Sequence, residues 1–335
     1  MNENIDFVIP WVDGDDAEWQ KERKKYASDN NSSDNSNIDN RDIRYRDYGT
    51  LKYWFRGIEK YAPWVNKIHF ITCGHLPDWL NTSHPKLHIV RHEDYMPKGA
   101  LPTFNSNAIE LMIHKIEGLE EKFVLFNDDL FIIKKLNKKD FFKRNLPCNT
   151  MTLTAIIPKT SAPGYITRAH NIEIINKYFK FRKCIKKNLF KYLSLKTGRQ
   201  IFKTLFSFIY RDFPGFFTYH MPNAYLKSTF KEVWSKEEEV LEKTVYCKFR
   251  DYKNNINQWI FNYWQFASGN FFQKSYKFGR HIKMTNKKVF DLIEKQKYKI
   301  LSISDTTEAE DFESLQAQLI SSFQKILPEK SGFEL

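Results

Sequence analysis

The sequence predicts an α/β protein, with a mostly parallel sheet in residues 1–150 and a mainly helical region over 151–335. Three observations carry that prediction. Short apolar runs bounded by turn residues recur near 5–9, 67–74, 86–95 and 122–126. Stretches with apolar residues at helical spacing separate them. After residue 150 the runs lengthen, turn basic and aromatic, and keep helical spacing. Strands alternating with helices build parallel sheets, because each crossover helix brings the chain back to start the next strand in the same direction.

The elements follow in order. In "IDFVIPWVDG" a strand from Ile5 to Ile9 is ended by Pro10 and the turn pair Asp13-Gly14. "DDAEWQKERKKYA" (15–27) is a helix, and "SDNNSSDNSNIDN" (28–40), without apolar anchors, is a loop. Leu51, Trp54, Phe55 and Ile58 set a helix in "LKYWFRGIEKYAPW", stopped by Pro63. "KIHFITCG" and "KLHIVRHEDY" are the second and third strands, and "NSNAIELMIHKI" (105–116) is a helix. "EKFVLFNDDLFII" (121–133) supplies two more strands, Lys122–Phe126 and Leu130–Ile133. Further on, 233–251, 257–269 and 308–327 read as helices, the last with acids in its first turns where the macrodipole favours them.

Bulk numbers narrow the class. The chain has 335 residues, 41% apolar and 16% aromatic, enough to bury a sizeable core. Its apolar runs fall far short of the ~20 residues of a membrane span. The N-terminus lacks a basic segment followed by a long apolar one, so a cytoplasmic protein is expected. Four scattered cysteines form no CxxC pair, which argues against a zinc ribbon or a disulfide framework. The net charge of +13 asks for an anionic partner: nucleic acid, nucleotide, phosphorylated glycan or membrane surface. No nucleic-acid recognition motif is present, so nucleic acid is not expected.

Asp128 and Asp129 stand between two apolar runs. Buried carboxylates need a partner or a metal. A strand ending in adjacent acids suits a divalent cation bridging protein to a diphosphate. A solvated hairpin turn explains the same residues, because Asn127-Asp128 is good turn chemistry. Asn105 or Ser106 is an N-cap candidate, at a helix start that could receive an anion. His220 is a candidate base beside the proline-fixed "HMP", and Arg250 can hold phosphate through its fork of donors, although each residue has an ordinary structural reading too. The aromatic run 259–266 reads as core. Residues 174–211 carry eleven Lys/Arg and no Asp/Glu, interleaved with apolar residues and broken near Thr197-Gly198. That segment suits an anionic membrane surface, an anionic polymer or a solvated face.

Together these stretches resemble the Stealth family of sugar-phosphate transferases. The family's first block resembles "IDFVIPWVDGDDAEW" (5–19), and its second resembles residues 44–131, from "RYRDYGTLKYWF" through "LPTFNSNAIE" to "FVLFNDDLF". The third resembles the region from "HMP" (220–222) to "FRDYKNNINQWIFNYW" (249–264). The fourth has its nearest counterpart in "LSISDTTEAEDFE" (301–313), which keeps Asp305 but has no Asn-Asp pair.

The resemblance implies a Rossmann-like, GT-A-like fold and transfer of hexose 1-phosphate from a UDP-sugar to a glycan or lipid-linked glycan hydroxyl. UMP would be released and a phosphodiester formed in a bacterial surface polysaccharide. It implies Mg²⁺ or Mn²⁺ held by Asp128 and Asp129, charge stabilisation by Arg250, and His220 as base or as orienter of the acceptor. Trp11, Asp13 and Gly14 would lie at the uridine end, with Arg44 and Asp47 nearby, and Asn105 and Asn107 along the donor sugar or phosphate. A conventional glycosyltransferase releasing UDP is the alternative, and a non-catalytic polyanion binder a more distant one. Contact with the inner face of the membrane through 174–211 is a further expectation.

Overall fold

Strand β1 (Asp6–Pro10) lies at the centre of a five-stranded sheet, and its first four residues are all buried. A strand covered on both faces is apolar without alternation, which is why this run is continuous. The structure is a computed structural model and describes residues 3–29, 38–159, 164–305 and 309–335. The sheet order is β4-β3-β1-β5-β9, with β3 (Ile68–Thr72), β4 (Leu87–Arg91) and β5 (Lys122–Leu125) parallel to β1. β9 (Asn223–Leu226) closes the edge antiparallel to β5. From β1 the chain builds outward through β3 to β4, then crosses back to place β5 on the other side of β1. The strand order therefore reverses between β1 and β5, and in such sheets ligands bind outside the carboxyl ends at that point.

Side chains alternate between two cores. Phe7, Ile9, Phe70 and Phe126 pack beneath α2 (Leu51–Tyr61). Val8, Ile71, Phe123 and Leu125 face a larger core shared with α3 (Ser106–Leu111), α7 (Lys227–Val245) and α8 (Trp259–Ser268). The second core spans both sides of residue 150, so the change in composition there is not a break in packing. The aromatic run of α8 is core, as expected, with Phe261, Tyr263, Trp264 and Phe266 buried.

Three features depart from the sequence reading. Strand β6 (Leu130–Ile132) does not extend the central sheet; it pairs antiparallel with β13 (Ile300–Ser304), which pairs with β12 (Gly279–Lys283). This small sheet is covered by α9 (Lys288–Glu294) and α10 (Ala309–Ile326), where Phe131, Leu301, Ile303 and Phe323 are buried together. The helix expected over 233–251 begins earlier, at Lys227, and ends at Val245. Residues Arg250–Asp251 instead form β10, antiparallel to β2 (Ile38–Asp39), while Phe249 packs with Trp19 and Phe104. Finally, α3 stops at Leu111 rather than 116, and a 3₁₀ turn over Ile113–Lys115 follows.

The first helix, α1, spans Ala17–Asp29, and residues 30–37 of the expected loop lie outside the described residues. The basic segment is a chain of short helices: α4 (Gly164–Tyr178), α5 (Phe181–Tyr192) and α6 (Ile201–Ser207). Before α6 comes a 3₁₀ stretch broken at Gly198, whose φ is 57°. Strands β7 (Phe142–Lys143), β8 (Leu146–Asn149) and β11 (Phe272–Gln273) form a third small sheet.

Candidate active site

Carboxylates stand at both ends of the central sheet, Asp6 alone at one and a cluster at the other, and the contrast between them locates the site. At the amino end, Asp6 is fully buried but accepts from Asn66 Nδ2 (2.8 Å), Lys67 N (3.1 Å), Glu120 N (2.9 Å) and His69 Nε2 (3.0 Å). Burial raises its pKa, and these donors more than offset that, leaving it lowered. Such a carboxylate is structural.

At the carboxyl end the donors run short. Phe126 N still bonds Val8 O at 2.8 Å, after which Asn127–Asp129 carry the chain from the central sheet to the small one. The segment is therefore a crossing between two sheets and not a hairpin turn. Asp129 Oδ2 receives His220 Nε2 at 2.8 Å and Ser302 Oγ at 3.4 Å. Its Oδ1 is buried and has no hydrogen-bond partner among the described residues. Asp128 has protein packed around its carboxyl but is exposed to the cavity described below. Its pKa is pushed up to about 7 by burial, then by the charges of Asp129 and Asp47. Burial, followed by Asp13, also raises Asp47.

Antiparallel register brings distant residues to this point. Pairing of Leu125 with Asn223 sets the start of β9 beside the end of β5, so His220, three residues upstream, reaches Asp129. Pairing of Ser302 with Leu130 brings Ser304 and Asp305 alongside, and Ile303 N bonds Asp129 O at 2.9 Å. The β2–β10 pair positions Arg250, whose Nη2 donates to Ser106 Oγ at 2.6 Å.

The resulting cavity measures about 560 Å³ and is lined by Asp47, Asp128, Asp129, His220, Arg250 and Asp305 with their neighbours. A smaller annex shares Asn127, Asp128 and Arg250 with it and reaches Trp11 and Trp19. A second large cavity, about 630 Å³, also has His220 in its wall.

The pKa of His220 is raised, first by the charge of Asp129, against burial. The Tyr48 hydroxyl, surrounded by burial and by Asp305, Asp129 and Asp128, is held protonated and lines the same cavity. Asp305 pairs with Arg46 at 3.0 Å.

The other predicted residues divide. Trp11 lines the annex. Asp13 works in its own turn, accepting from Asp15 N at 2.9 Å, while its charge reaches Asp47. Gly14 is required by close approach: a Cβ there would lie 1.9 Å from Tyr45 O. Asn105 is buried as the cap of α3, with Oδ1 on Asn107 N (3.1 Å) and Nδ2 on Asn255 Oδ1 (2.9 Å). It therefore positions Ser106, and through it Arg250, while Asn107 lines neither part of this cavity. The Arg44 side chain lies outside those described.

Sequence reasoning missed Glu110, Arg46, Tyr48, Ser302 and His281. Glu110 is buried in the annex wall, its carboxyl pushed up to about 7 by burial against the opposing pull of Arg250 and His220. His281 Nδ1 meets Ser302 Oγ at 2.9 Å, extending the chain of contacts through Asp129 to His220. Alternation along "LSIS" was a usable signal, since Leu301 and Ile303 face a core and leave Ser302 on the cavity side.

Comparison with known proteins decides the family. Residues 44–149 match the model for Stealth protein CR2, conserved region 2, and residues 3–30 match Stealth protein CR1, conserved region 1. A capsular polysaccharide phosphotransferase WcwK of Streptococcus pneumoniae is 42% identical, with 99% of this chain and 98% of the relative covered. The chain belongs to the Stealth family. A receptor polysaccharide phosphotransferase WefC of Streptococcus oralis is 37% identical, with 99% of each chain covered. An exopolysaccharide phosphotransferase cps2G of Lactiplantibacillus plantarum is 34% identical, with 99% and 96% covered. This Stealth protein is accordingly a transferase, and its α/β fold with a parallel-rich sheet fits the GT-A-like class.

Among the described residues no group of three or more His, Cys, Asp or Glu is gathered as a ready-made metal cage. The donor set nonetheless suits a hard cation such as Mg²⁺, which uses one or two carboxylates and takes its other ligands from water and substrate phosphates. The partnerless Asp129 Oδ1 and the raised pKa of Asp128 both mark carboxylates short of positive charge.

Proposed function

We propose that this Stealth protein is a phosphotransferase of bacterial surface-polysaccharide assembly, moving hexose 1-phosphate from a UDP-hexose to a glycan hydroxyl. The observation that carries the reading is the meeting of Asp128, Asp129, His220 and Arg250 around one cavity at the reversal of strand order. The relatives' names supply the reaction class and the acceptor class.

In this mechanism the acceptor oxygen attacks the phosphorus next to the sugar. The new oxygen–phosphorus bond forms as the bond to the bridging oxygen breaks, and UMP leaves with that oxygen. The acceptor's proton passes to His220. Asp129 engages Nε2 and fixes the ring, which leaves Nδ1 for the hydroxyl. Arg250, held by Ser106, offers its remaining donors to the oxygens on which charge develops. Asp128 and Asp129 Oδ1 would hold Mg²⁺ or Mn²⁺, which supplies charge neutralisation at the diphosphate. The tryptophan-lined annex takes the uridine end of the donor. The second cavity, sharing His220, receives the acceptor.

The basic segment supports a peripheral position at the inner face of the membrane. Phe190 (92% exposed), Leu195 (87%), Phe206 (73%) and Ile209 (76%) project from it, among exposed Lys183, Lys186 and Lys187. Exposed apolar side chains within a cationic surface suit an anionic bilayer interface. No helix among the described residues is long and apolar enough to cross a membrane. Binding to anionic liposomes is expected, and its loss in Lys183→Glu/Lys186→Glu/Lys187→Glu; a parent protein that ignores such liposomes contradicts this position.

Incubation with Mg²⁺, a panel of UDP-hexoses and short glycan acceptors, with chromatography of the released nucleotide, tests the function. UMP, abolished by chelator and by Asp128→Ala, is the expected result. Release of UDP would mean transfer at carbon.

A further inference from the structure

A third cavity, of about 370 Å³, adjoins the acceptor cavity, and the two share Lys274, Ser275 and Phe278. Eight lysines line it, and Asp140 is the one acid among the described lining residues. They arrive from four separate stretches: 134–143, Lys196, 274–277 and 297–299. This is a cluster converging from four stretches rather than one charge run, with Lys274 buried and most of the others exposed.

Protein groups answer little of that charge. Asp140 pairs with Lys299 at 2.7 Å, and Lys196 Nζ reaches Gln273 O at 3.3 Å. Lys274 is only 8% exposed, and its Nζ rests over the rings of Phe141 (4.5 Å) and Phe278 (4.4 Å). No carboxylate lies within ion-pair distance of it among the described residues. Burial pulls its pKa down to about 8, against the opposing influence of Cys148 and Asp140. A buried ammonium on the wall between two cavities, backed by like charges, costs stability unless an anion neutralises it.

We propose that this lysine-lined cavity binds a phosphate ester carried by the acceptor glycan, at a distance from the hydroxyl that His220 activates. The inference rests on the phosphotransferase reading for the identity of the acceptor. The donor diphosphate is assigned to the Asp128–Arg250 cavity, so a second anion site on the acceptor side calls for a second phosphate. Two sources share that chemistry: a phosphodiester within a growing chain and a lipid diphosphate at the reducing end. Lys196 follows Leu195 of the exposed apolar surface, so the cavity lies beside the segment assigned to the membrane.

The test compares three acceptors in the full-length enzyme with Mg²⁺ and UDP-hexose. They are a neutral oligosaccharide, the same sugar with one internal phosphodiester, and the same sugar with a short isoprenoid diphosphate at its reducing end. At least one phosphorylated acceptor should show a KM about tenfold or more below the neutral one, the scale of one charge-assisted contact. That ratio should collapse towards one in Lys277→Gln/Lys297→Gln and in Lys274→Met, with donor KM unchanged. The phosphorylated acceptor that shows the effect identifies the source.

Equal KM values for all three acceptors would overturn the proposal, as would variants that weaken neutral and phosphorylated acceptors alike. Fluorescence anisotropy with the same three probes, labelled, separates this failure from failure of the reaction. Preferential binding of a phosphorylated probe, lost in the variants, supports the site even if no donor turns over. Equal binding of the neutral probe, or equal competition by a short RNA, sinks it.

Discussion

Asp128→Asn should cripple the enzyme and stabilise the fold, and the pH dependence of that gain is calculable. In the folded, metal-free protein the Asp128 carboxyl stands at about 7, against an ordinary value of 3.8. Between those values the folded chain keeps the proton while the unfolded chain releases it, so stability falls as pH rises through the window. Full linkage over that interval would cost about 4 kcal/mol. The side chain opens onto the cavity, however, and water there screens the repulsion, so a cost of roughly 1–2 kcal/mol at pH 8 is expected. The amide has the same shape without the charge. In urea unfolding with chelator present, Asp128→Asn should match the parent near pH 4 and exceed it by roughly 1–2 kcal/mol at pH 8. Activity with Mg²⁺ should fall about 10²–10³-fold, the usual scale for a lost electrostatic contact in a transition state. A variant less stable than the parent at pH 8, or one as active as the parent, would refute the reasoning.

Asp6, at the other end of the sheet, should behave in the opposite sense. Asp6→Asn replaces an acceptor of four donors and should cost roughly 2–4 kcal/mol of stability by denaturant titration. Because its folded pKa is lowered, the carboxylate's contribution is present above its ordinary value and lost as pH falls through the folded one, so the parent's extra stability should vanish in acid. Arg250→Lys keeps the charge but loses the fork that serves Ser106 and, in the proposed mechanism, the substrate; kcat/KM should drop about tenfold to a hundredfold, while thermal unfolding barely moves. Gly14→Ala places a methyl against the carbonyl of Tyr45 and displaces the loop bearing Arg46, Asp47 and Tyr48, so steady-state assays should show weakened donor binding in a folded protein.

Much of the fold was legible because burial on both faces leaves a continuous apolar run. Ile5–Ile9 read as a buried strand, and α2 followed from four apolar residues at helical spacing. What could not be read was pairing at long range. "KFVLFNDDLFII" looks locally like one hairpin, yet Leu125 pairs in one sheet and Leu130 in another. Arg250 sat in a helix-like pattern until pairing with Asp39, 211 residues earlier, made it a strand. His220 was readable as a residue type, but its meeting with Asp129 depends on the β5–β9 register. Asp305 drew little weight without an adjacent Asn-Asp pair, although β13 delivers it directly to the cavity. The lysine cavity left no local trace, because four stretches contribute to it and none stands out.

The central claim is that the bond broken lies at phosphorus, and an isotope placed in the donor tests it most directly. UDP-hexose carrying ¹⁸O at the anomeric oxygen is turned over, and product and nucleotide are weighed by mass spectrometry. Attack at phosphorus keeps the label between sugar and phosphorus, so the account predicts a labelled phosphodiester product and unlabelled UMP. Labelled UDP beside an unlabelled glycoside would contradict it.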